Sequence, residues 1–203
     1  MTIFLLIRHG TTDMLGRILA GWMPGVHLNE KGKREAAELA ERLAPLSLAA
    51  LYCSPLDRAL ETAAPLASRK GLPVQVCEGV GEIRFGEWTG MDFPSLNASS
   101  VWKRFNEFRS GTRIPGGEII GEVQARMVAE MERIQGLHPD GMVAVVSHGD
   151  VIKAAIAYYV GIPLDLMRRI EIGPASVSSI AIDAYGPVLL CVNHTEGIPL
   201  RRG

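Results

Sequence analysis

The chain has 203 residues, 47% hydrophobic and 21% charged, with a formal net charge of −1, which is enough for one substantial domain and short for two. The charges are mixed along the chain, leaving no basic footprint for nucleic acid; the longest apolar runs, TIFLLI and MVAVV, fall well short of a membrane span. With no signal-peptide pattern at the amino terminus, a cytoplasmic protein with neither nucleic acid nor membrane as a partner is expected. The three cysteines, Cys53, Cys77 and Cys191, are odd in number and lack paired spacing, so they are expected to be buried thiols rather than a disulfide framework or a zinc ribbon.

Thr2 to Ile7 is a continuous apolar-leaning run, the pattern of a strand covered on both faces, and it ends in Arg8, His9 and Gly10. Ligands of open α/β sheets bind in the crevice beyond such strand ends. A Gly-rich loop, GRILAGWMPGV, leads to a helix that Asn29 can cap and that presents Ala36, Leu39, Ala40 and Leu43 on one face. LAALYC (48–53) predicts a second strand, and SPLDRALETAAPLASRKG a helix with Ser54 as candidate N-cap and Pro55 in the first turn. PVQVC (73–77) predicts a short third strand, followed by EGVGEIRFGEWTG, which fits no regular element. Residues 92–110 and 118–137 are predicted helices separated by the turn RIPGGE. The opening pattern then recurs: a strand at 142–146, Ser147-His148-Gly149, and a helix to about Val160. SVSSIAID and PVLLCVN close the chain as a pair of strands around AYGP. This alternation predicts a mostly parallel sheet with helices on both faces.

Two similar strands thus end in histidine. If they are parallel neighbours, His9 and His148 emerge on one edge, and Arg8 and Arg58, the latter in the first turn after LYC, converge on the same pocket with helix amino ends facing it. Arginine forks match phosphate geometry, so the pocket suits a doubly charged oxyanion. Taken singly, each residue has a plainer reading: a rim histidine satisfied by hydrogen bonds, or a solvated Arg58 paired with Asp57 or Glu61.

Together, Arg8-His9-Gly10, CSPLDRALETA with Arg58, EIRFGEWTG with Glu82 and VVSHGDVIKA with His148 resemble the ordered motif set of the histidine phosphatase superfamily, also called phosphoglycerate-mutase-like. The resemblance runs from about Ile3 to His194. It implies a three-layer α/β/α sandwich and a single domain over 1–203, with residues about 84–118 as a candidate lid or substrate-contacting insertion. It also implies His9 as nucleophile, Arg8, Arg58 and His148 as phosphate ligands, and Glu82 as general acid. No cofactor and no metal are expected, and the partner is a small phosphate ester; a homodimer is compatible with the pattern. The chemistry agrees with these roles: neutral imidazole forms a phosphohistidine, arginines and amides stabilise the equatorial oxygens, and a carboxyl among apolar neighbours stays protonated for the leaving alkoxide. The family pattern Arg-His-Gly-Glu-Ser/Thr followed by Trp-Asn is not kept throughout. Thr11 replaces the glutamate, Thr12 keeps the hydroxyl, and Met14-Leu15 stands where Trp-Asn would be, so the phosphate ligand of that asparagine is missing or supplied by Thr12 or another group.

Other chemistries fit less well. A cysteine phosphatase needs five residues between Cys and Arg, and Cys53 and Arg58 have four. Ser147, His148 and Asp150 are too close in sequence for a triad and lack the Gly-x-Ser-x-Gly elbow. GVGEIRFG lacks the third glycine of a dinucleotide loop, and the arginines would repel a cation held by His9, His148 and Glu82. His27, His138 and His194 are expected at the surface. VWKRFNEFRSGTR (101–113), four basic residues against one acidic, is either an amphipathic helix with core aromatics or a lid over an anionic substrate. Three functions remain: a phosphatase of small phosphate monoesters, which the compact chain favours; a cofactor-dependent phosphoglycerate-type mutase; and a non-catalytic phosphate-binding module.

Overall fold

The protein is described here by a computed structural model covering residues 1–196. Six strands form one sheet: β1 (Thr2–Arg8), β2 (Ala50–Cys53), β3 (Val74–Val76), β4 (Met142–Ser147), β5 (Val177–Asp183) and β6 (Gly186–His194), in the order β3-β2-β4-β1-β5-β6. The first four are mutually parallel, and β5 and β6 join as an antiparallel pair on the β1 side. The helices are α1 (Glu30–Leu43), α2 (Asp57–Lys70), α3 (Phe93–Ala98), α4 (Ser100–Glu107), α5 (Ile120–Leu137) and α6 (Gly149–Val160).

Both faces of the sheet are covered, which is why β1 reads as an unbroken apolar run. Leu5 and Ile7 pack with Leu39 and Leu43 of α1 and Leu66 of α2 on one face. Phe4 and Leu6 pack with Met127 and Met131 of α5 and Ile152 and Ile156 of α6 on the other. β4 divides the same way, Val143 and Val145 to the second face and Ala144 and Val146 to the first. The result is the expected α/β/α sandwich. Among the described residues no helix is long and apolar enough to cross a membrane.

Several local expectations change. Ser54 is not the N-cap of α2; that helix begins at Asp57 with Leu56 as an N-cap that has no side-chain bond, and the Ser54 hydroxyl, just outside the helix, accepts from Leu56 N at 3.4 Å and from His148 Nε2 at 2.8 Å. The region 92–110 is two helices, with Ser99 ending α3 and its hydroxyl accepting from Trp102 N to start α4. EGVGEIRFGEWTG holds two single-turn 3₁₀ helices, Glu78–Val80 and Gly86–Trp88. His138 is half-buried rather than a surface group: its Nε2 shares a 3.0 Å hydrogen bond with the Tyr52 hydroxyl, and the two rings meet edge to face. His194 is also half-buried, and His27 is exposed beside Glu61. Of the thiols, Cys53 is buried while Cys77 and Cys191 are only half-buried.

Candidate active site

Register brings the histidines together. In the parallel β1/β4 pair Arg8 lies opposite Ser147, so the next residues on each strand, His9 and His148, leave the sheet side by side with ring centroids 5.1 Å apart. β2 pairs with β4 so that Cys53 lies opposite Val146, which places Ser54 and the start of α2 beside them. The loop after His9 is clamped against α1. A Cβ on Gly10 would stand 2.8 Å from the Gly32 carbonyl oxygen, and one on Gly32 would collide with the Thr11 carbonyl, so both positions require glycine. Thr62, one turn beyond Arg58 on α2, accepts from Gly10 N at 2.9 Å and donates to Arg58 O at 2.7 Å, tying the His9 loop to the Arg58 helix.

The hydrogen bonds define the imidazole tautomers. His9 Nδ1–H donates to Gly10 O at 2.8 Å, leaving the Nε2 lone pair free to accept Arg58 Nε–H at 3.2 Å. In His148, Nδ1 accepts from Arg58 Nη2 at 3.4 Å while Nε2–H donates to Ser54 Oγ at 2.8 Å. Burial, then the positive charges of Arg58 and Arg8, push the His9 pKa down to about 3; the same burial and Arg58 hold His148 well below the usual imidazole value. Both rings are therefore neutral at pH 7. Arg58 is 2% exposed and also donates to Gly21 O at 2.8 Å, yet its Nη1 has no partner; Arg8 donates to Ile172 O at 2.6 Å, yet its Nε is buried and unpartnered. Buried donors without acceptors are costly, and two guanidinium N–H groups left so beside a cavity mark a seat for an anion.

Glu82 enters from the loop after β3. Its Oε1 accepts from Ile83 N at 2.9 Å and its Oε2 lies 3.6 Å from His148 Nδ1. Burial raises its pKa against the opposing charge of Arg58. The loop is held by long-range bonds no local pattern announces. Arg126 on α5 donates to the carbonyls of Gly79, Gly81 and Glu82 at 2.9, 2.7 and 2.8 Å, and is itself paired with Glu118 at 2.8 Å. Trp22 Nε1 also donates to Glu82 O, and Ser147 Oγ donates to Val80 O at 2.6 Å. Ser147 thus anchors the Glu82 loop and is not poised as a nucleophile.

Arg8, His9, Thr12, Arg58 and Glu82 line one cavity of about 140 Å³. His148 lies behind it, fully buried, reaching the cavity through its contacts with Arg58 and Glu82. Thr11 turns away: its N–H and hydroxyl both donate to the Glu35 carboxylate of α1, at 2.8 and 2.9 Å. Met14 and Leu15 form part of the wall. Within 84–118, Phe85 and Phe93 reach the cavity, whereas Trp102 and Phe105 are buried in the core. Arg109 Nη1 donates to Asp150 Oδ2 at 2.7 Å and Ser110 N to Asp165 at 2.8 Å, fastening residues 101–113 to α6 and the turn after it.

The refused proton on His9 has a measurable consequence. The unfolded chain protonates this residue near 6.5 and the folded chain only near 3, so stability falls as pH drops through 6.5 and goes on falling toward 3. Between pH 7 and 5 this linkage costs about 2 kcal/mol. Urea unfolding of wild type and His9→Ala at both pH values should show the variant losing that much less on acidification; equal losses would mean His9 is not held neutral.

The model of the histidine phosphatase superfamily (branch 1) matches residues 4–195, and the chain belongs to that family. Phosphoserine phosphatase 1 of Hydrogenobacter thermophilus is 29% identical over 199 residues, 96% of this chain and 93% of that protein. A 2,3-bisphosphoglycerate-dependent phosphoglycerate mutase of Thermoplasma acidophilum is 28% identical over 193 residues, 90% of this chain and 88% of the mutase. The crystal structure of a phosphoserine phosphatase mutant from Entamoeba histolytica in complex with phosphoserine superposes with a TM-score of 0.87 at 28% identity, covering 97% of this chain and 99% of that one.

Proposed function

We propose that the protein is a phosphatase that hydrolyses a small phosphate monoester through a phosphohistidine on His9. The observation that carries this reading is the pairing of a neutral His9 in the cavity lining, whose Nε2 is the unprotonated nitrogen and accepts only a 3.2 Å bond from Arg58 Nε that an incoming phosphoryl group would take over, with the unpartnered donors Arg8 Nε and Arg58 Nη1 beside it. In the first step Nε2 attacks phosphorus and the ester P–O bond breaks; Glu82 gives its proton to the departing alkoxide. Arg8 and Arg58, with Thr12 in the lining, hold the equatorial oxygens, the electrostatic contribution that dominates phosphoryl transfer. His148, the phosphate ligand the resemblance implies, acts through Arg58, accepting from its Nη2 behind the cavity. In the second step water attacks the phosphohistidine, its proton passes to the Glu82 carboxylate, the P–N bond breaks, and phosphate leaves with His9 again neutral. Phe85 and Phe93 place the segment 84–118 against the alcohol side of the ester, the role we assign to it in this single domain.

The mutase relative supports a second reading, in which an organic hydroxyl instead of water takes the phosphoryl group. The two differ in product. Supplied with 3-phosphoglycerate and its bisphosphate primer, the phosphatase releases inorganic phosphate faster than it forms 2-phosphoglycerate, or ignores both compounds while cleaving other esters. Efficient isomerisation with negligible phosphate release would make the protein a mutase.

A further inference from the structure

Beyond its anion seat, the cavity has a second wall of different chemistry. Met14, Leu15, Ile18, Leu19, Phe85 and Phe93 supply its side-chain surface, and among the described residues its lining includes no lysine and no arginine other than Arg8 and Arg58. Met14, Leu15 and Ile18 belong to neither hydrophobic core; Met14 and Ile18 are partly buried and Leu15 is exposed, so each keeps apolar surface open to the cavity they line. The wall is held by backbone: Ile18 bridges Asp92, Leu19 N donates to Met91 O at 2.9 Å, Gly90 N donates to Leu19 O at 2.8 Å, and Phe93 N donates to Arg17 O at 3.3 Å. Loop 14–21 and the start of α3 therefore form one braced collar around the mouth of the anion seat.

We infer that this collar receives the alcohol part of the substrate and that this part is apolar, a short alkyl or single-ring aryl group, and not a second anion or a zwitterion. The inference rests on the phosphatase reading above and adds the class of ester. With both arginines committed to one phosphoryl group, a carboxylate or second phosphate on the leaving group would lie against Leu15, Ile18 and Phe93 with no further cation among the described lining residues to meet it, an unfavourable desolvation. An alkyl chain in the same place removes apolar surface from water on both partners, worth about 0.8 kcal/mol per methylene, equivalent to roughly 3–4-fold. The cavity of about 140 Å³ sets the upper size, below the roughly 300–1,000 Å³ that drug-sized ligands occupy.

The test is a series of n-alkyl phosphates from ethyl to pentyl, whose leaving groups have nearly equal basicity, compared with O-phosphoserine and 3-phosphoglycerate by phosphate release. A parallel calorimetric series uses the corresponding alkylphosphonates, which need no turnover. Expected are rises in kcat/KM and in phosphonate affinity of about 3–4-fold per methylene until the wall is filled, with phosphoserine and 3-phosphoglycerate below pentyl phosphate. Leu15→Lys, at a residue 43% exposed and so tolerant of change, should flatten both slopes and raise activity on 3-phosphoglycerate. A flat series in both assays, or preference for 3-phosphoglycerate or phosphoserine over every alkyl ester, overturns the apolar assignment while the phosphatase reading stands. If no ester is cleaved, the phosphatase reading fails, and the phosphonate slope alone then decides the character of the wall.

Discussion

His9→Ala should abolish phosphate release, lowering turnover by about 10⁵–10⁶-fold, the scale on which removal of a nucleophile acts, and no acid-labile phosphoenzyme should form. The loss is chemical and not structural. His9 lies beyond the apolar stretch Phe4–Ile7, all fully buried, and its backbone N–H keeps its 3.0 Å bond to Ser147 O whatever side chain it carries. The variant should therefore unfold cooperatively at pH 7 and still bind phosphate, because Arg8 and Arg58 keep the donors that lack protein acceptors. Rapid quench with labelled ester, followed by acid and alkali treatment of the protein, reads the intermediate directly. Turnover within tenfold of wild type, or a label on His9 of wild type stable to acid, would remove the phosphohistidine from the mechanism.

Replacing Glu82 by Gln separates the two halves of the reaction by leaving group. Alkyl esters, which need a proton on the departing oxygen, should slow by about 10²–10⁴-fold, and a nitrophenyl ester, whose leaving group departs as the anion, much less. The pH dependence follows from burial of this carboxyl, which raises its pKa above the ordinary 4.5. In the proposed mechanism the acid form is the active one, so kcat/KM for an alkyl ester should hold up beyond the usual carboxylate range and fall as pH rises through the raised value. His9 sets no limb in this region, being neutral down to about pH 3; at the acid side only the second ionisation of the ester, near 6, matters. Glu82→Gln should erase the alkaline limb and leave the ester's own ionisation. Equal losses on both ester types, or an unchanged alkaline limb, would take the proton-donor role away from Glu82.

What was legible in the sequence was whatever depends on local pattern. The unbroken apolar runs of β1 and β4 announce strands covered on both faces, Asn29 announces the start of α1, and the repeated strand-histidine-glycine ending brings His9 and His148 to one edge on the condition, met in the fold, that the two strands are parallel neighbours. Arg58 was legible for the same reason, since the first turn after a parallel strand opens onto the sheet's carboxyl edge. Capping preference is local and points to Ser54, whereas in the fold α2 starts at Asp57 and the Ser54 hydroxyl lies against His148, 94 positions away. His138 is a case of the same kind: nothing in its neighbours Leu137 and Pro139 announces burial, and Tyr52 meets it only in the fold. The tertiary structure alone decided that Arg126 holds the carbonyls of the Glu82 loop, that Thr62 joins the His9 loop to α2, and that Glu35 takes both donors of Thr11. It also turned Met14 and Leu15 from a departure in a motif into one side of a braced apolar wall. The division has a physical cause: periodicity and capping act over a turn of helix or a strand, whereas a hydrogen bond between residues 44 or 94 positions apart exists only once the sheet has set its register.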